Sequence, residues 1–214
     1  MVGVTIDGSA IEAKVTIDAT GGRHWLARAL GMPVHQYSRK LIAWYGYATG
    51  QCPHHDGAPA LAVSDAGWLW TARVLSGLYA WVRLDLDANA TSKPGPPEAF
   101  SELEPVGSIR GANVTWRRAE AFTGPGYVLA GDAAAVVDPL ASHGVLRALM
   151  SGVAAAHFVV GALRRGESEV LGATAYRRWL SAWFQRDIDN LARYLDALHV
   201  SPRPREALLQ RRSL

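Results

Sequence analysis

The sequence has almost no cysteine, and the little charge that it carries is nearly balanced. A single cysteine, Cys52, among 214 residues excludes an internal disulfide framework and a zinc site built from four thiolates. Charged residues make up 19% of the chain, with a formal net charge of +3. Residues 201–214 hold four arginines and one glutamate, so this short tail carries the whole net charge. The tail lacks aromatic side chains, and we expect no nucleic-acid partner.

Long hydrophobic runs are also absent. The longest uncharged apolar stretch, residues 148–163, falls short of the roughly 20 residues that span a bilayer. The chain begins with MVGV and shows no basic leader before an apolar core, which a secretory signal would have. We therefore expect a cytoplasmic protein without a membrane partner.

The sequence does have a hydrophobic share of 49%, which is enough for a folded core. Alternating apolar residues predict a hairpin and a closing strand over residues 1–35, with one hairpin strand running over 11–17. Residues 36–122 have the rhythm of an antiparallel sheet, and 123–200 predict a return strand and two helices, the second over 174–199. Residues 201–214 form the basic tail. The predicted fold class is α/β, with α+β character in this chain.

The most informative segment, residues 126–145, reads GYVLAGDAAAVVDPLASHGV. It predicts a short buried strand that ends at Gly131 and Asp132, followed by a long helix that starts near Gly144. A carboxylate at the carboxyl end of a strand lies where α/β sheets bind ligands, and it can accept hydrogen bonds from ribityl hydroxyls. The free amides at a helix start can hold an anionic ligand atom. The spacing therefore predicts a ligand site between Asp132 and the helix start.

This segment resembles the second flavin-binding motif of the FAD-dependent aromatic hydroxylases and the tryptophan-halogenase-like enzymes. That superfamily also contains the flavoprotein monooxygenases that mature quinone cofactors. The resemblance implies a partial FAD-binding domain in which Asp132, after Gly131, binds the ribityl chain and Pro139 shapes the loop. It also implies that the amides of Gly144 and Val145 face the N1–C2=O edge of the flavin. Reduced flavin carries negative charge at that edge, and a helix N-terminus stabilises it.

Two further segments are similar to the same superfamily. Residues 15–23, VTIDATGGR, look like the strand that closes the FAD domain, which implies that Gly21 lies beneath the cofactor. Residues 65–85 look like two strands of the substrate domain, so we expect Trp68, Trp70 and Trp81 on one antiparallel sheet. Trp68 and Trp70 are two positions apart and share a face, which is either sheet core or the wall of a substrate site.

Histidines give two more candidates for chemistry. His143 directly precedes Gly144, so the resemblance places it near the flavin edge, where it would transfer a proton, orient substrate or simply cap the helix. The segment 52–56, CPHHD, has no partner cluster elsewhere in the sequence. Adjacent histidines on a strand also point to opposite faces. We predict a polar loop there and no metal site.

The sequence contains no Gly-x-Gly-x-x-Gly segment, through which the superfamily binds the FAD pyrophosphate. The resemblance thus implies the C-terminal portion of a longer enzyme, a chain completed by a separate N-terminal polypeptide, or a non-catalytic remnant. We expect FAD in the intact enzyme and weak or absent flavin in this chain alone. An in-frame Gly-x-Gly-x-x-Gly segment in the DNA upstream of the Met1 codon would favour the enzyme.

The main functional prediction is an FAD-dependent monooxygenase that acts on an aromatic small molecule or on an amino-acid side chain of a peptide. NAD(P)H or a flavin reductase would supply its electrons. A flavin-dependent halogenase and a prenyl-type reductase are the enzymatic alternatives. A binding protein without its own flavin is the alternative from a different class.

Overall fold

The computed structural model describes residues 3–86, 95–166 and 168–197, which form short strands and three helices. The strands, β1 to β13 in chain order, are Gly3–Ile6, Ser9–Glu12, Thr16–Asp18, Val34–Gln36, Ile42–Thr49, Ala60–Ser64, Gly67–Leu75, Leu78–Asp85, Glu104–Asn113, Arg117–Ala119, Thr123–Gly124, Tyr127–Leu129 and Ala135–Val136. The helices, α1 to α3, are Trp25–Ala29, Gly144–Arg164 and Glu169–Ala197. Single 3₁₀ turns lie at Pro53–His55, Glu98–Phe100, Gly131–Ala133 and Pro139–Ala141. Helices and mainly antiparallel sheets make this an α+β fold, as the sequence predicted.

The chain divides into two compact units. Unit 1 contains the described residues within Met1–Tyr37 and Trp116–Leu191, and unit 2 contains those within Ser38–Thr115 and Ala192–Leu214. The boundaries predicted from the sequence lie after residues 35 and 122. Residues 116–122 join unit 1 because β10 pairs with β4 on one side and with β13 on the other. The predicted basic tail, 201–214, lies outside the described residues.

Three small sheets form unit 1. β1 and β2 make a hairpin, β4, β10 and β13 make a second sheet, and β3, β12 and β11 make a third, in which β3 and β12 run parallel. The prediction of one continuous strand over 11–17 is wrong. The chain leaves the hairpin after Glu12 and resumes at Thr16, because β3 pairs with β12 in register Thr16 to Tyr127 instead of continuing beside β1.

The core of unit 1 packs both long helices against β12. Val128 and Leu129 of β12 are fully buried, as are Ala155 of α2 and Leu180 of α3. Tyr176 of α3 donates its hydroxyl hydrogen to the carbonyl oxygen of Leu129 at 2.7 Å. The predicted amphipathic helix is confirmed over residues 174–197. It starts earlier than predicted, at Glu169, and residues 198 and 199 lie outside the described residues.

Unit 2 is built on a five-stranded antiparallel sheet in the order β6-β7-β8-β5-β9. The sheet carries Trp68, Trp70 and Trp81, as predicted. Trp68 and Trp70 pair with Leu84 and Val82, whereas Trp81 pairs with Thr71 and so lies on the opposite face. Trp81 is buried with Tyr79 and Phe100 in a cluster on that face. A side chain at Gly46 would place its Cβ 2.9 Å from the Trp81 ring, so this strand position requires glycine.

The ten-residue edge strand β9, at Glu104–Asn113, was not predicted. Nearly all of its residues are exposed, and it contains Pro105, Gly107 and Gly111. An edge strand without a buried face lacks the period-two pattern by which strands are recognised, and its proline is tolerated at an edge. The strand predicted at 114–118 begins later, at Arg117.

Helix α2 is longer than the apolar stretch that the sequence showed. It has 21 residues, with a mean hydropathy of 1.6 over its most apolar window, and is long and apolar enough to cross a bilayer. Only 22% of that window is buried. Leu149, Val153, Val160 and Leu163 are each at least 43% exposed and lie on one side of the helix. We call these four residues the α2 apolar stripe.

We expect Tyr176→Phe to lower the free energy of unfolding by about 1–2 kcal/mol, because it removes a buried hydrogen bond and leaves the Leu129 carbonyl without its donor. Burial also raises the pKa of the Tyr176 hydroxyl, which keeps it a donor. Urea unfolding followed by circular dichroism measures the change. Tyr194→Phe, at an exposed tyrosine of the same helix, is the matched control, and equal losses in the two variants would contradict the assignment.

Candidate functional site

The turn after β12 presses its backbone onto helix α2. Gly131 has a φ of +58°, and a Cβ there would lie 3.3 Å from the Cβ of Ala148. Its amide donates a hydrogen bond to Ser151 Oγ at 2.8 Å. The positive φ and the close approach to Ala148 both favour glycine at this position. With its backbone held in this way, the chain presents the next side chain, Asp132, outward, and that side chain is 50% exposed.

The start of α2 is open. Asp138 accepts a hydrogen bond from the Leu140 amide and so fixes the 3₁₀ turn that begins at Pro139. His143 occupies the N-cap position, but its side chain makes no capping hydrogen bond, so the capping role considered for it is wrong. A Cβ at Gly144 would meet no atom within 4 Å, and Val145 is 77% exposed. The free amides of the first helical turn can therefore bind a ligand atom with negative charge.

Arg147 joins these two parts of the site. Its side chain is 2% exposed, and its Nη2 lies 3.3 Å from Asp132 Oδ1. Its Nη1 lies 3.7 Å from Oδ2 of Asp187, a buried residue of α3. Burial raises the pKa of Asp187, while the charges of Arg147 and His143 oppose that rise. Neither Arg147 nor Asp187 was predicted, because a charged residue on an apolar helix gives no signal of its partner on another helix.

The turn that contains Gly21 is fixed by a buried carboxylate. Asp18, at the end of β3, is 3% exposed and accepts hydrogen bonds from the Thr20 amide at 2.8 Å and the Leu26 amide at 3.1 Å. Gly21 has a φ of +86°, which favours glycine. The turn borders an open groove of about 900 Å³ whose walls include Arg23 and Trp25.

His24 connects this turn to the Asp132 turn. Its ring is buried, its Nδ1 lies 2.8 Å from the Ala133 carbonyl oxygen, and its Nε2 accepts a hydrogen bond from Arg117 Nε at 3.1 Å. Arg117 Nη2 also donates to the Gly22 carbonyl at 2.7 Å. These contacts require a neutral imidazole with its proton on Nδ1. Burial lowers the pKa of His24, and so do the charges of Arg117 and Arg28; a lowered pKa also favours the neutral imidazole. His24 was not predicted, because only the fold brings Ala133 to it.

Unit 1 thus joins two groups of predicted residues through the contact of Arg147 with Asp132. One group is Gly131 and Asp132, and the other is His143, Gly144 and Val145 at the start of α2, with Pro139 in the preceding turn. Unit 1 joins the Gly21 turn to them through His24 and Ala133. The other two candidates, Trp68 and Trp70, lie in unit 2, where Trp68 is buried and Trp70 is half-buried.

The polar loop of unit 2 is engaged in local contacts. His55 Nδ1 lies 3.0 Å from Thr71 Oγ1, and Asp56 accepts a hydrogen bond from the Tyr79 hydroxyl at 2.6 Å. Within the described ranges, no three His, Cys, Asp or Glu side chains gather as a metal site would require.

No protein-family model matches the chain. The curated sulochrin halogenase gedL of Aspergillus terreus is 29% identical over 149 residues, which cover 59% of this chain and 27% of that protein. Among solved structures, the flavin-dependent halogenase CmlS gives a TM-score of 0.70 at 22% identity, over 85% of this chain and 37% of that one. The flavin-dependent brominase Bmp2 gives 0.71 at 20% identity, over 81% of this chain and 49% of that one.

The chain has a flavin-dependent halogenase-like fold. This likeness of fold does not separate halogenation from oxygenation. The chain spans about half or less of the length of these proteins. Within the halogenase-like fold, the roles of Asp132, Gly144 and the other site residues stay predictions.

His24 makes the stability of unit 1 depend on pH. Its pKa is lowered in the folded state relative to the value of about 6.5 in an unfolded chain, so below about pH 6.5 the unfolded chain binds more protons. We therefore expect the free energy of unfolding to fall on acidification from pH 7 to pH 5. The asparagine variant, His24→Asn, tolerates the left-handed backbone of this residue and should lose less stability over the same range.

The measurement is urea unfolding at several pH values. His54→Asn, at an exposed histidine of unit 2, is the control and should retain the parent's dependence on pH. A slope for His24→Asn equal to that of the parent would show that His24 does not titrate as its burial implies.

Proposed function

We propose that this chain supplies the ribityl-binding and pyrimidine-edge half of a flavin site in an FAD-dependent oxidoreductase. The observation that carries the proposal is the contact of Arg147 with Asp132, which ties an exposed carboxylate at the end of β12 to the open first turn of α2. A carboxylate and a helix N-terminus side by side suit a ligand that has hydroxyl donors next to a group that becomes anionic.

The residues present fit FAD. Asp132 is half exposed, and one of its oxygens, Oδ1, is engaged by Arg147, which orients the carboxylate while leaving it able to accept hydrogen bonds from ribityl hydroxyls. The amides of Gly144 and Val145 would face the N1–C2=O edge, and Gly21 would lie near the cofactor without a side chain to obstruct it. When bound and reduced, FAD would supply the activation of O2 that both halogenation and oxygenation require.

Halogenation is the reaction that we favour over the oxygenation expected from the sequence. The support is that gedL and CmlS are halogenases and Bmp2 is a brominase, although a shared fold alone does not determine function. We propose an aromatic substrate, because Trp70, Val82 and Tyr45 pair across three neighbouring strands and form one half-buried row on the sheet of unit 2. NAD(P)H or a flavin reductase would supply electrons. Assays of the flavin-loaded protein with an electron donor, an aromatic acceptor and bromide distinguish a brominated from a hydroxylated product.

We further propose that a separate polypeptide with the Gly-x-Gly-x-x-Gly segment completes the site by covering the α2 apolar stripe. An exposed apolar surface of this kind marks a contact with protein or with a membrane, and we assign it to protein. The stripe also borders a groove of about 690 Å³ between α2 and α3, lined by Phe158, Leu171 and Trp179 among others. The α2 apolar stripe would then bind the second polypeptide and not lipid, and the assembled protein would be cytoplasmic.

We expect Asp132→Ala to weaken FAD binding by about 1.5–3 kcal/mol, the range for hydrogen bonds to a charged group, which corresponds to roughly 10- to 150-fold in Kd. The measurement is a fluorescence titration of FAD with the chain co-expressed with the proposed Gly-x-Gly-x-x-Gly polypeptide. Asp65→Ala, in an exposed turn of unit 2, should bind like the parent. Equal flavin retention in both variants would mean that Asp132 only shapes the turn.

The complementing polypeptide has its own test. Val153→Glu places a charge in the stripe and should abolish co-purification with the proposed Gly-x-Gly-x-x-Gly polypeptide, since a charge buried without a partner is costly. Val106→Glu, on the exposed edge strand β9, should leave co-purification intact. Assembly of both variants would contradict the proposal, and binding of the parent chain to phosphatidylcholine vesicles would instead assign the stripe to lipid.

Two alternatives have distinct outcomes in these experiments. A prenyl-type reductase would bind FAD in the same way but would reduce a double bond and form neither halogenated nor hydroxylated product. A binding protein without flavin would show no FAD binding with or without the proposed Gly-x-Gly-x-x-Gly polypeptide, and Asp132→Ala would then change nothing.

A further inference from the structure

An acid buried in unit 1 faces the start of α2 from the neighbouring helix. Asp187 of α3 is 3% exposed. Its Oδ2 lies 3.7 Å from Arg147 Nη1, and its Oδ1 lies 3.7 Å from His143 Nδ1. Three ionisable side chains from two helices thus meet directly under the open helix start, where the candidate flavin edge would lie.

Stability does not account for this arrangement. Arg147 Nε and Asp187 Oδ2 are buried, and neither makes a hydrogen bond to any described residue. A buried ion pair with incomplete hydrogen bonding gives little net stability, because the cost of removing both charges from water rivals their attraction. Apolar residues of similar size would serve a purely structural core as well. The charges are therefore better explained by what they do to a neighbouring group.

That neighbouring group is His143. Its side chain is 51% exposed, so the imidazole borders both the buried acid and the surface. It makes no capping hydrogen bond to α2. An imidazole whose Nδ1–H points at a carboxylate is fixed in one tautomer, which leaves Nε2 as the acceptor. The separation of 3.7 Å exceeds a hydrogen bond, but such contacts are often long without a ligand and shorten when one binds.

We propose that Asp187 is a positioning residue whose carboxylate holds the His143 imidazole with its proton on Nδ1, so that Nε2 can accept a proton from a ligand at the start of α2 and return it. The identity of that ligand rests on the proposed function. The step moves one proton between Nε2 and the ligand and changes no oxidation state. Arg147 has two roles in this arrangement, because it balances the charge of Asp187 and orients Asp132.

The test uses the 214-residue chain without flavin. Nitrogen-15 NMR of labelled histidine distinguishes the Nδ1–H from the Nε2–H tautomer, and the loss of one signal set in His143→Gln assigns His143. We expect neutral His143 in the parent to carry its proton mainly on Nδ1. In Asp187→Asn, the ratio of the Nδ1–H to the Nε2–H form should fall about fivefold, which corresponds to about 1 kcal/mol between a charged and a neutral acceptor.

Asp189→Asn is the matched control, because Asp189 lies on the same helix as Asp187 and accepts a hydrogen bond from Gln185. It should leave the tautomers of His143 unchanged. A parent protein in which His143 carries its proton on Nε2 would overturn the inference, and that measurement needs no variant to fold. An equal response of the tautomers to both substitutions would overturn it as well.

Failure of this inference is distinguishable from failure of the proposed function. If FAD does not bind to the completed protein while Asp187→Asn still shifts the tautomer of His143, the positioning role stands and the flavin proposal fails. If FAD binds and is weakened by Asp132→Ala while Asp187→Asn leaves the tautomer unchanged, the flavin proposal stands and the positioning role is wrong.

Discussion

The close approach of the Gly131 backbone to helix α2 is the constraint on which the rest of unit 1 depends. The Gly131 amide donates a hydrogen bond to Ser151, and a Cβ at Gly131 would lie in close contact with Ala148. Tyr176 fixes the preceding strand from the other long helix by its bond to Leu129. Because the turn is held on two sides, the carboxylate of Asp132 points outward, beside Arg147. A displacement of the turn would separate the carboxylate from the helix start.

Buried charge in unit 1 is concentrated around this turn and the one that contains Gly21. Asp18 binds backbone amides, Arg117 binds His24 and a carbonyl, and Arg147 lies between two carboxylates. Each of these side chains is costly to bury, and each connects loops that come from distant parts of the sequence. Such groups contribute more to the uniqueness of the loop geometry than to the total free energy of folding. Polar contacts of this kind are what a ligand site needs to keep its shape.

The sequence was sufficient for the features that depend on local pattern. The strand before Asp132, the helix after Gly144 and the amphipathic spacing around Leu180 all follow from periodicity, and each was predicted close to where it lies. The pairing of β3 with β12, the edge strand β9 and the bridge made by His24 were not predicted. They depend on partners far away in the sequence, or on a strand without a buried face, and neither leaves a periodic signal.

Unit 1 is assembled from two segments of the chain, with all five strands of the unit 2 sheet between them. His24 and Ala133, which join the two turns, are 109 positions apart. During synthesis, the strands of unit 2 therefore emerge before β12 does, and β6, β7 and β8 can pair as consecutive hairpins while β5 joins β8 and β9. Throughout that interval β3 and α1 have no partner, and Leu26 and Ala27, fully buried in the finished protein, stay exposed to water. The segment from β3 to α1 therefore depends on a part of the chain that is made much later to cover its apolar side chains.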